Sequence, residues 1–123
     1  GAGGGGAGSA GSANSGANGG AGGAAKASTI TGSTLYYSAG GGGGKAMYGS
    51  VGANGANYAS GNTGSANAQA NGNPGVVILK YASSLTMTIP AGVTSSTDSS
   101  SIPGYKVTTF TDTSNATVQV QFN

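Results

Sequence analysis

The hydrophobic and polar positions of this 123-residue chain divide into two parts with different periods. From residue 76 onwards, large apolar residues form short blocks or alternate with polar ones, as they do in β-strands. Before residue 76 such residues are scarce, and glycine recurs at every third position over several stretches. The change falls at Pro74-Gly75, so we predict a glycine-rich region at 1–75 and a small β domain at 76–123.

The second part predicts four strands with turns between them. The strands are expected at residues 76–81, 85–89, 105–110 and 117–122, and the turns at 90–92, 102–104 and 112–115. The first strand, VVILKY, is a nearly continuous apolar run, which is typical of a strand covered on both faces. The second and fourth alternate, which places one set of side chains on a common face. These sets are Leu85, Met87 and Ile89, and Val118, Val120 and Phe122, the latter facing inward.

The first part has a period of three. The stretch GSVGANGANYASGNTG places glycine at positions 49, 52, 55, 61 and 64, with Tyr58 at the missing position. A polyproline II helix has three residues per turn, so one face of each helix would carry only hydrogen atoms. Neighbouring helices would then approach closely enough for N–H and Cα–H groups to reach carbonyl oxygens. We predict a compact bundle of such helices, and a flexible Gly/Ala/Ser/Asn linker is the alternative that composition alone favours.

The fold class expected from both parts is all-β or irregular, with essentially no helix. A glycine-rich, polyproline II-like bundle precedes a small antiparallel β sheet or sandwich. Collagen is excluded because its triplet is unbroken and rich in proline, whereas this chain has three prolines. Four strands within 76–123 bury little surface. We therefore expect them to pack on the bundle, on a preceding domain or on identical chains.

Composition and charge remove several classes of function. The chain has no His and no Cys, and its net charge is +2 with only 5% charged residues. Catalytic triads built on His or Cys are therefore impossible. Nucleic-acid binding requires clustered Lys or Arg, and no apolar run reaches the ~20 residues of a membrane span. We expect no enzyme activity, no cofactor, no metal, no nucleic-acid partner and no membrane insertion.

Two features resemble catalytic or nucleotide-binding sites but lack required residues. GSTLYYSAGGGGGK, at residues 32–45, ends like the phosphate-binding pattern G-x-x-x-x-G-K-[ST]. Its first glycine is replaced by alanine, and Ala46 stands where the hydroxyl is needed. The two carboxylates, Asp98 and Asp112, lie in polar, turn-like stretches. We expect both to be solvated turn residues rather than a catalytic pair.

One group of residues suits binding, because it combines tyrosine with asparagine. The candidate glycan or surface contacts are Tyr36, Tyr37, Tyr48, Tyr58, Asn54 and Asn57, with Asn62 among them. Tyrosine rings stack on sugar rings, and asparagine amides donate and accept hydrogen bonds with hydroxyls. The alternative is that the tyrosines are the bulky bodies that cover the bundle or fill its joint with the β part. The sequence leaves open which way Tyr36 and Tyr37 point.

The order of these segments resembles the glycine-rich distal domains of bacteriophage tail fibres and adhesins. In that family a glycine-rich region closes with Gly-(Val/Ile)-Val-Ile-(Ile/Leu)-(Arg/Lys)-Tyr, and here GVVILKY occupies residues 75–81. The segment GYKVTTFTDTSNATVQVQF, at 104–122, is similar to the Gly-Tyr-(Lys/Arg)-x-x-x-Phe-Thr segment that often follows. The chain departs from the family in its longer β tail and in a first 25 residues without bulky side chains. These departures leave open a decorating or connecting fibre rather than the tip.

The resemblance implies a non-enzymatic structural component of a virion fibre or appendage that contributes to host attachment. It implies a homotrimer of identical chains on the virion, with a bacterial surface glycan or an outer-membrane protein as partner. The alternatives are a self-assembling extracellular filament subunit and an ice- or surface-binding protein, each secreted or on the cell surface. The chain begins at Gly1 rather than at methionine, so we expect a fragment or a processed chain.

Overall fold

The computed structural model describes residues 1–44, 58–59, 61, 72–113 and 119–123. Contacts between Cα atoms divide the chain into two compact units. The first unit comprises Gly1–Ser28 and Leu35–Pro74, and the second comprises Thr29–Thr34 and Gly75–Asn123. The segment Thr29–Thr34, which the sequence-based division left with the glycine-rich region, is thus part of the second unit.

Seven strands and no helix occur in the described residues, which confirms the predicted all-β fold class. The strands are β1 (Lys26–Ser28), β2 (Leu35–Tyr37), β3 (Val77–Ala82), β4 (Met87–Thr88), β5 (Val93–Asp98), β6 (Tyr105–Thr113) and β7 (Gln121–Phe122). They form three antiparallel sheets with the orders β1-β2, β3-β6-β5 and β4-β7.

Most of the described first unit lies outside its two strands, in four extended runs. We name them run A (residues 1–8), run B (9–14), run C (19–25) and run D (38–44). Backbone hydrogen bonds join A to D, D to C and C to A. Run B joins both A and C, since Gly3 donates to Ser12 and Ser12 donates to Ala21. The unit is therefore held together by backbone-to-backbone contacts between runs.

Runs A, C and D form a closed triangle of donors and acceptors. The Gly4 amide donates to the Gly41 carbonyl at 2.8 Å, and the Gly40 amide donates to the Gly23 carbonyl at 2.8 Å. The Gly23 amide closes the triangle by donating to the Gly4 carbonyl at 2.8 Å. Each run both donates and accepts within this layer, so each polar backbone group used is satisfied by a neighbouring run.

A second layer repeats the triangle three residues away, earlier in runs A and C and later in run D. The Gly1 nitrogen donates to the Gly44 carbonyl at 2.8 Å, and the Gly43 amide donates to the Gly20 carbonyl at 2.8 Å. The Gly20 amide donates to the Gly1 carbonyl at 2.9 Å. A β-strand turns the same side to its neighbour every second residue, whereas a polyproline II helix does so every third residue. The spacing between layers therefore indicates the predicted polyproline II-like packing in residues 1–44. Most of the stretch 49–64, whose glycine pattern suggested this packing, lies outside the described residues.

The close approach of the runs explains why glycine occupies their contacts. A Cβ atom built on Gly23 would lie within 3 Å of backbone atoms of Ser9, Gly6 and Ala10. A Cβ atom on Gly40 would likewise lie within 3 Å of backbone atoms of Gly4 and Gly23. Because these neighbours are backbone atoms, they cannot yield by rotating a side chain. Every side chain, even alanine, would force runs apart at these positions.

The second unit is organised around β6, which lies between β3 and β5. Val107, Thr108 and Phe110 of this central strand are buried. The Thr108 hydroxyl, fully buried, is hydrogen-bonded to the Tyr81 hydroxyl at 3.0 Å and to the Thr97 hydroxyl at 2.8 Å. One residue from each strand thus meets at a single polar junction, which satisfies the buried hydroxyl.

Each of the four strands predicted from the sequence overlaps a strand of the structure, but their bounds differ. The first is shifted by one residue, to β3. The second shrinks to β4, because the Leu85 amide donates to Ala82 in the turn after β3 and Leu85 remains 38% exposed. The third lengthens to β6. Of the fourth, only β7 is assigned as a strand; Val118 lies outside the described residues, and Phe122, expected inward, is 43% exposed.

In two polar segments the structure differs from the sequence prediction: one strand was not predicted, and one expected turn residue lies in a strand. Strand β5, VTSSTD, was not predicted because serine and threonine on both of its faces hide any alternation. Asp112 was expected in a turn, but it lies in β6, where it pairs with Thr94. The register of β5 shifts between Thr94 and Ser95. Thr111 is thereby left as an extra residue in β6, as in a β-bulge.

The turn predicted at residues 102–104 is present in the structure. At Ile102–Tyr105 the Tyr105 amide donates to the Ile102 carbonyl at 3.1 Å, and Gly104 has φ of +81°. Proline at the second position and a left-handed glycine at the third are the features of a type II turn. This turn leads directly into β6.

The glycine contacts generate a paired test. Replacing Gly23 by alanine is expected to lower the free energy of unfolding by about 2 kcal/mol or more, because the added methyl group overpacks a backbone junction and lengthens its hydrogen bond. Gly5→Ala is the control, since a Cβ atom on Gly5 meets nothing within 4 Å. It should change stability by less than about 1 kcal/mol, in the stabilising direction. Urea unfolding followed by circular dichroism measures both, and equal effects would contradict the packing described here.

Candidate functional site

Three tyrosines of the predicted contact set are described, and they lie on and beside the hairpin of β1 and β2: Tyr36, Tyr37 and Tyr58. In this hairpin Tyr36 is opposite Ala27, and Tyr37 is opposite Lys26. Successive side chains of a strand point to opposite faces, so Tyr36 and Tyr37 face opposite sides of the hairpin. Tyr36 is 42% exposed, whereas Tyr37 is half-buried. The two adjacent residues therefore have different surroundings.

Tyr37 stacks on Tyr58. Their ring centroids are 5.9 Å apart, and the ring planes differ by 13°. The backbones also meet, because Tyr37 and Tyr58 form an isolated parallel bridge and the Ser38 amide donates to the Tyr58 carbonyl at 3.1 Å. Offset stacking of two aromatic rings is favourable beyond the area it buries. One face of the Tyr37 ring is thus used inside the unit.

The residues that follow these two tyrosines have unusual backbone conformations. Ser38 has φ of +56° and Ala59 has φ of +53°, in the left-handed region that non-glycine residues rarely adopt. Ala59 is held there by a 2.9 Å hydrogen bond from its amide to the Pro74 carbonyl. Such strain persists only where surrounding contacts fix it. The junction around Tyr37 and Tyr58 is therefore firmly constrained.

The Tyr37 hydroxyl is buried and has no hydrogen-bond partner in the described part of the chain. Burial disfavours the phenolate and raises the pKa of Tyr37 above its ordinary value of 10.0, and the neighbouring Tyr58 raises it further. A buried hydroxyl without a partner carries an uncompensated desolvation cost. Tyr37 thus contributes an apolar ring to the unit rather than a polar group to a ligand.

Four other residues of the predicted contact set lie outside the described residues: Tyr48, Asn54, Asn57 and Asn62. Among the described members of the set, Tyr37 and Tyr58 come together and Tyr36 faces away from Tyr37. Of these three described tyrosines, Tyr36 has the most exposed side chain.

Sequence reasoning missed a second exposed aromatic residue, in the other unit. Tyr105, at the start of β6, is 44% exposed, and the Lys80 ammonium lies 4.4 Å from the centroid of its ring. Lys80 is opposite Val107 in the sheet, so Tyr105 is its diagonal neighbour. The sequence carried no signal for this contact, because the two residues are brought together only by strand register. A cation over an aromatic face is attractive.

Asp98, at the end of β5, is anchored by the loop that follows it. Its Oδ1 atom accepts hydrogen bonds from the Ser100 amide at 2.8 Å, the Ser100 hydroxyl at 3.0 Å and the Ser101 amide at 3.1 Å. Hydrogen bonds from Ser101 and Ser100 hold the pKa of the Asp98 carboxyl well below its usual range. Asp98 therefore acts as a turn-fixing carboxylate that stays ionised.

The described ranges contain no group of three or more His, Cys, Asp or Glu residues that could hold a metal ion. No helix long and apolar enough to cross a membrane occurs in the part of the chain that is described. Comparison of the whole chain with protein-family models, with curated proteins and with solved structures gave no match.

The environment of Tyr37 predicts a specific dependence of stability on pH. Because the folded pKa exceeds the unfolded one, folding favours the neutral phenol. This contribution is fully present below about pH 10 and is lost as the pH rises through the folded pKa. Tyr37→Phe should therefore reduce the loss of stability between about pH 9 and pH 11, as measured by urea unfolding at each pH.

The same substitution has an expected result at neutral pH. Phenylalanine retains the stack on Tyr58 and removes a buried hydroxyl without a partner, so stability at pH 7 should be equal to that of the natural chain or higher. Marked destabilisation by Tyr37→Phe at pH 7 would show that the hydroxyl has a partner and would refute this description.

Proposed function

We propose that this chain is a non-enzymatic structural segment of a virion fibre or appendage and that it contributes to attachment to a host surface. Two sequence features support the proposal: the glycine-rich region with its GVVILKY exit strand, and the GYKVTTFT segment near the C-terminus. Both resemble distal segments of phage tail fibres and adhesins. The virion is the location that follows from this resemblance.

The observation that carries the proposal is the triangular layering of runs A, C and D. Backbone amides and carbonyls hold these runs together, at distances of 2.8–2.9 Å. A unit built in this way needs no core of large side chains, so its side chains are available to point outward. It also fixes the ends of its runs, and loops on rigid scaffolds are well suited to recognition. An external fibre segment requires both properties.

Tyr36 is the described residue best suited to contact a host surface. It lies in β2, and only Tyr37 separates it from the start of run D, so its backbone lies next to the layered core. Its ring is 42% exposed. Tyr37, stacked on Tyr58, supports the opposite side of the hairpin. A tyrosine ring on a rigid base offers a flat apolar face for a sugar ring at little entropic cost.

The partners belong to the same proposal. The outward ligand is a bacterial surface glycan or an outer-membrane protein, and the chain associates with identical chains as a homotrimer. Fibres are closed cyclic assemblies, and a small sheet gains buried surface by association.

The proposal predicts selective adsorption to bacteria. The 123-residue chain, fluorescently labelled, is incubated with a panel of bacterial strains and with their purified surface polysaccharides. We expect binding to a subset of strains that soluble polysaccharide inhibits. Tyr36→Ala should weaken this binding about tenfold, since an aromatic stacking contact contributes on the order of 1 kcal/mol beyond its area. Tyr105→Ala, an equally exposed tyrosine in the other unit, is the control and should bind normally.

The oligomeric state in solution distinguishes the proposed function from the two alternative functions. Light scattering should give one closed oligomer whose mass is independent of protein concentration. Particles that lengthen with concentration, without adsorption to cells, would identify a filament subunit instead. Reshaping of ice crystals without adsorption would identify an ice-binding protein, and either result would overturn the proposal.

A further inference from the structure

Within the described residues, the three-stranded sheet of the second unit has two edges without a further strand. Strands β3 and β5 are each six residues long, and each pairs with β6 alone among the described residues. Alternate amide and carbonyl groups of both strands therefore point away from the sheet without a strand partner. Such edges are templates for pairing with another chain.

Both edges carry few of the features that usually prevent this pairing. Proline is absent from Val77–Ala82 and from Val93–Asp98, and each strand has a single charged residue. The extra residue of the bulge, Thr111, lies in the central strand rather than on an edge. Val77 at the start of β3 is 59% exposed. Edges meant to remain unpaired are generally short or are guarded by charges, proline or bulges.

The charges on the two edges are opposite and lie in the same row of the sheet. Lys80 of β3 and Asp98 of β5 are both opposite Val107 of β6. They therefore share one face and are separated by two strand spacings, ~9.5 Å, within one chain. The contacts of Asp98 Oδ1 with Ser100 and Ser101 fix the carboxylate at this edge. One edge strand thus carries a lysine, whose ammonium lies over the Tyr105 ring of β6 within one chain, and the other edge strand carries an aspartate.

We propose that β3 of one copy pairs with β5 of the next copy, in the register that places Lys80 beside Asp98 of that copy. Both strands run antiparallel to β6, so they run parallel to each other. Continuing the sheet from one copy to the next therefore gives a parallel pair. Side chains keep their faces in this arrangement, and opposite charges on neighbouring strands are favourable.

The second copy is the occupant that the observations favour over other arrangements. Two β3 edges paired around a two-fold axis would leave both β5 edges open and bring no opposite charges together. Head-to-tail pairing gives both β3 and β5 a strand partner through one type of contact. A head-to-tail contact forms a ring when its rotation closes and a filament when it does not. This contact rests on the association of identical chains that the proposed function includes, and it names the strands that associate. The cross-linking test of the contact and the adsorption test of host attachment can still fail separately.

Engineered cysteines test the contact, because the natural chain has none. Val77 of β3 and Ser95 of β5 are both opposite Phe110, so they share a row on the other face of the sheet. Within one chain they lie two strand spacings apart, ~9.5 Å, too far for a disulfide, which needs Cα atoms within about 7 Å. In the proposed pair, Val77 of one copy and Ser95 of the next lie about 5 Å apart.

The experiment mixes the Val77→Cys chain with the Ser95→Cys chain under mild oxidation. Electrophoresis without reductant and mass spectrometry measure the covalent products. We expect a one-to-one adduct in at least about tenfold higher yield than the covalent dimers formed by either variant alone. The matched control replaces Ser95→Cys with Thr111→Cys, another exposed position in the same sheet but on its central strand. That mixture should give only the low collision yield.

Other results would overturn the inference. Equal adduct yields with Ser95→Cys and with Thr111→Cys would show random collision. Predominant dimers of Val77→Cys alone would show β3 pairing with itself, and no adduct would show that the edges do not meet. The charges supply a second readout: adding Lys80→Glu to the Val77→Cys chain should reduce the yield several-fold, whereas Lys80→Arg should retain it. Unchanged yield with Lys80→Glu would refute the register.

Discussion

The structure of the first unit depends on one repeated interaction, the triangle of backbone hydrogen bonds between runs A, C and D. Each bond contributes only about 0.5–1.5 kcal/mol net, and ordering glycine carries the largest backbone entropy cost of any residue. The runs can persist only if many such bonds form together. Contacts such as those of Gly23 and Gly40 allow this, because each position donates a hydrogen bond and also leaves room for the next run.

This constraint explains features that otherwise look unrelated. Large side chains are scarce among the runs because the contacts between runs are made by backbone atoms. The hairpin of β1 and β2 leaves run C and returns the chain to run D, which places Tyr36 and Tyr37 at the edge of the layers. The second unit follows a different rule, with side chains meeting around Thr108 in a conventional sheet. Its sheet is small, and among the described residues β3 and β5 are edges that pair with β6 alone.

The sequence predicted those parts of the fold that depend on the spacing of glycine and on runs of apolar residues. Glycine at every third position indicated polyproline II-like packing, and the apolar run VVILKY indicated β3. It did not predict β5, because VTSSTD has no alternation of apolar and polar residues, nor β1 and β2, which are only three residues long. In the candidate site, tyrosine enrichment was visible, but the opposite orientations of Tyr36 and Tyr37 depend on strand geometry. The proximity of Lys80 and Tyr105 depends on register, which a single sequence does not encode locally.

Residue-resolved amide hydrogen exchange, followed by nuclear magnetic resonance, tests the layered backbone most directly. The amides of Gly20, Gly23, Gly40 and Gly43 donate between runs, whereas those of Gly22 and Gly41 donate no hydrogen bond within the described residues. The account predicts slow exchange at the first four glycines and fast exchange at the other two, a period of three along runs C and D. Uniformly fast exchange, or protection at every second residue, would contradict it.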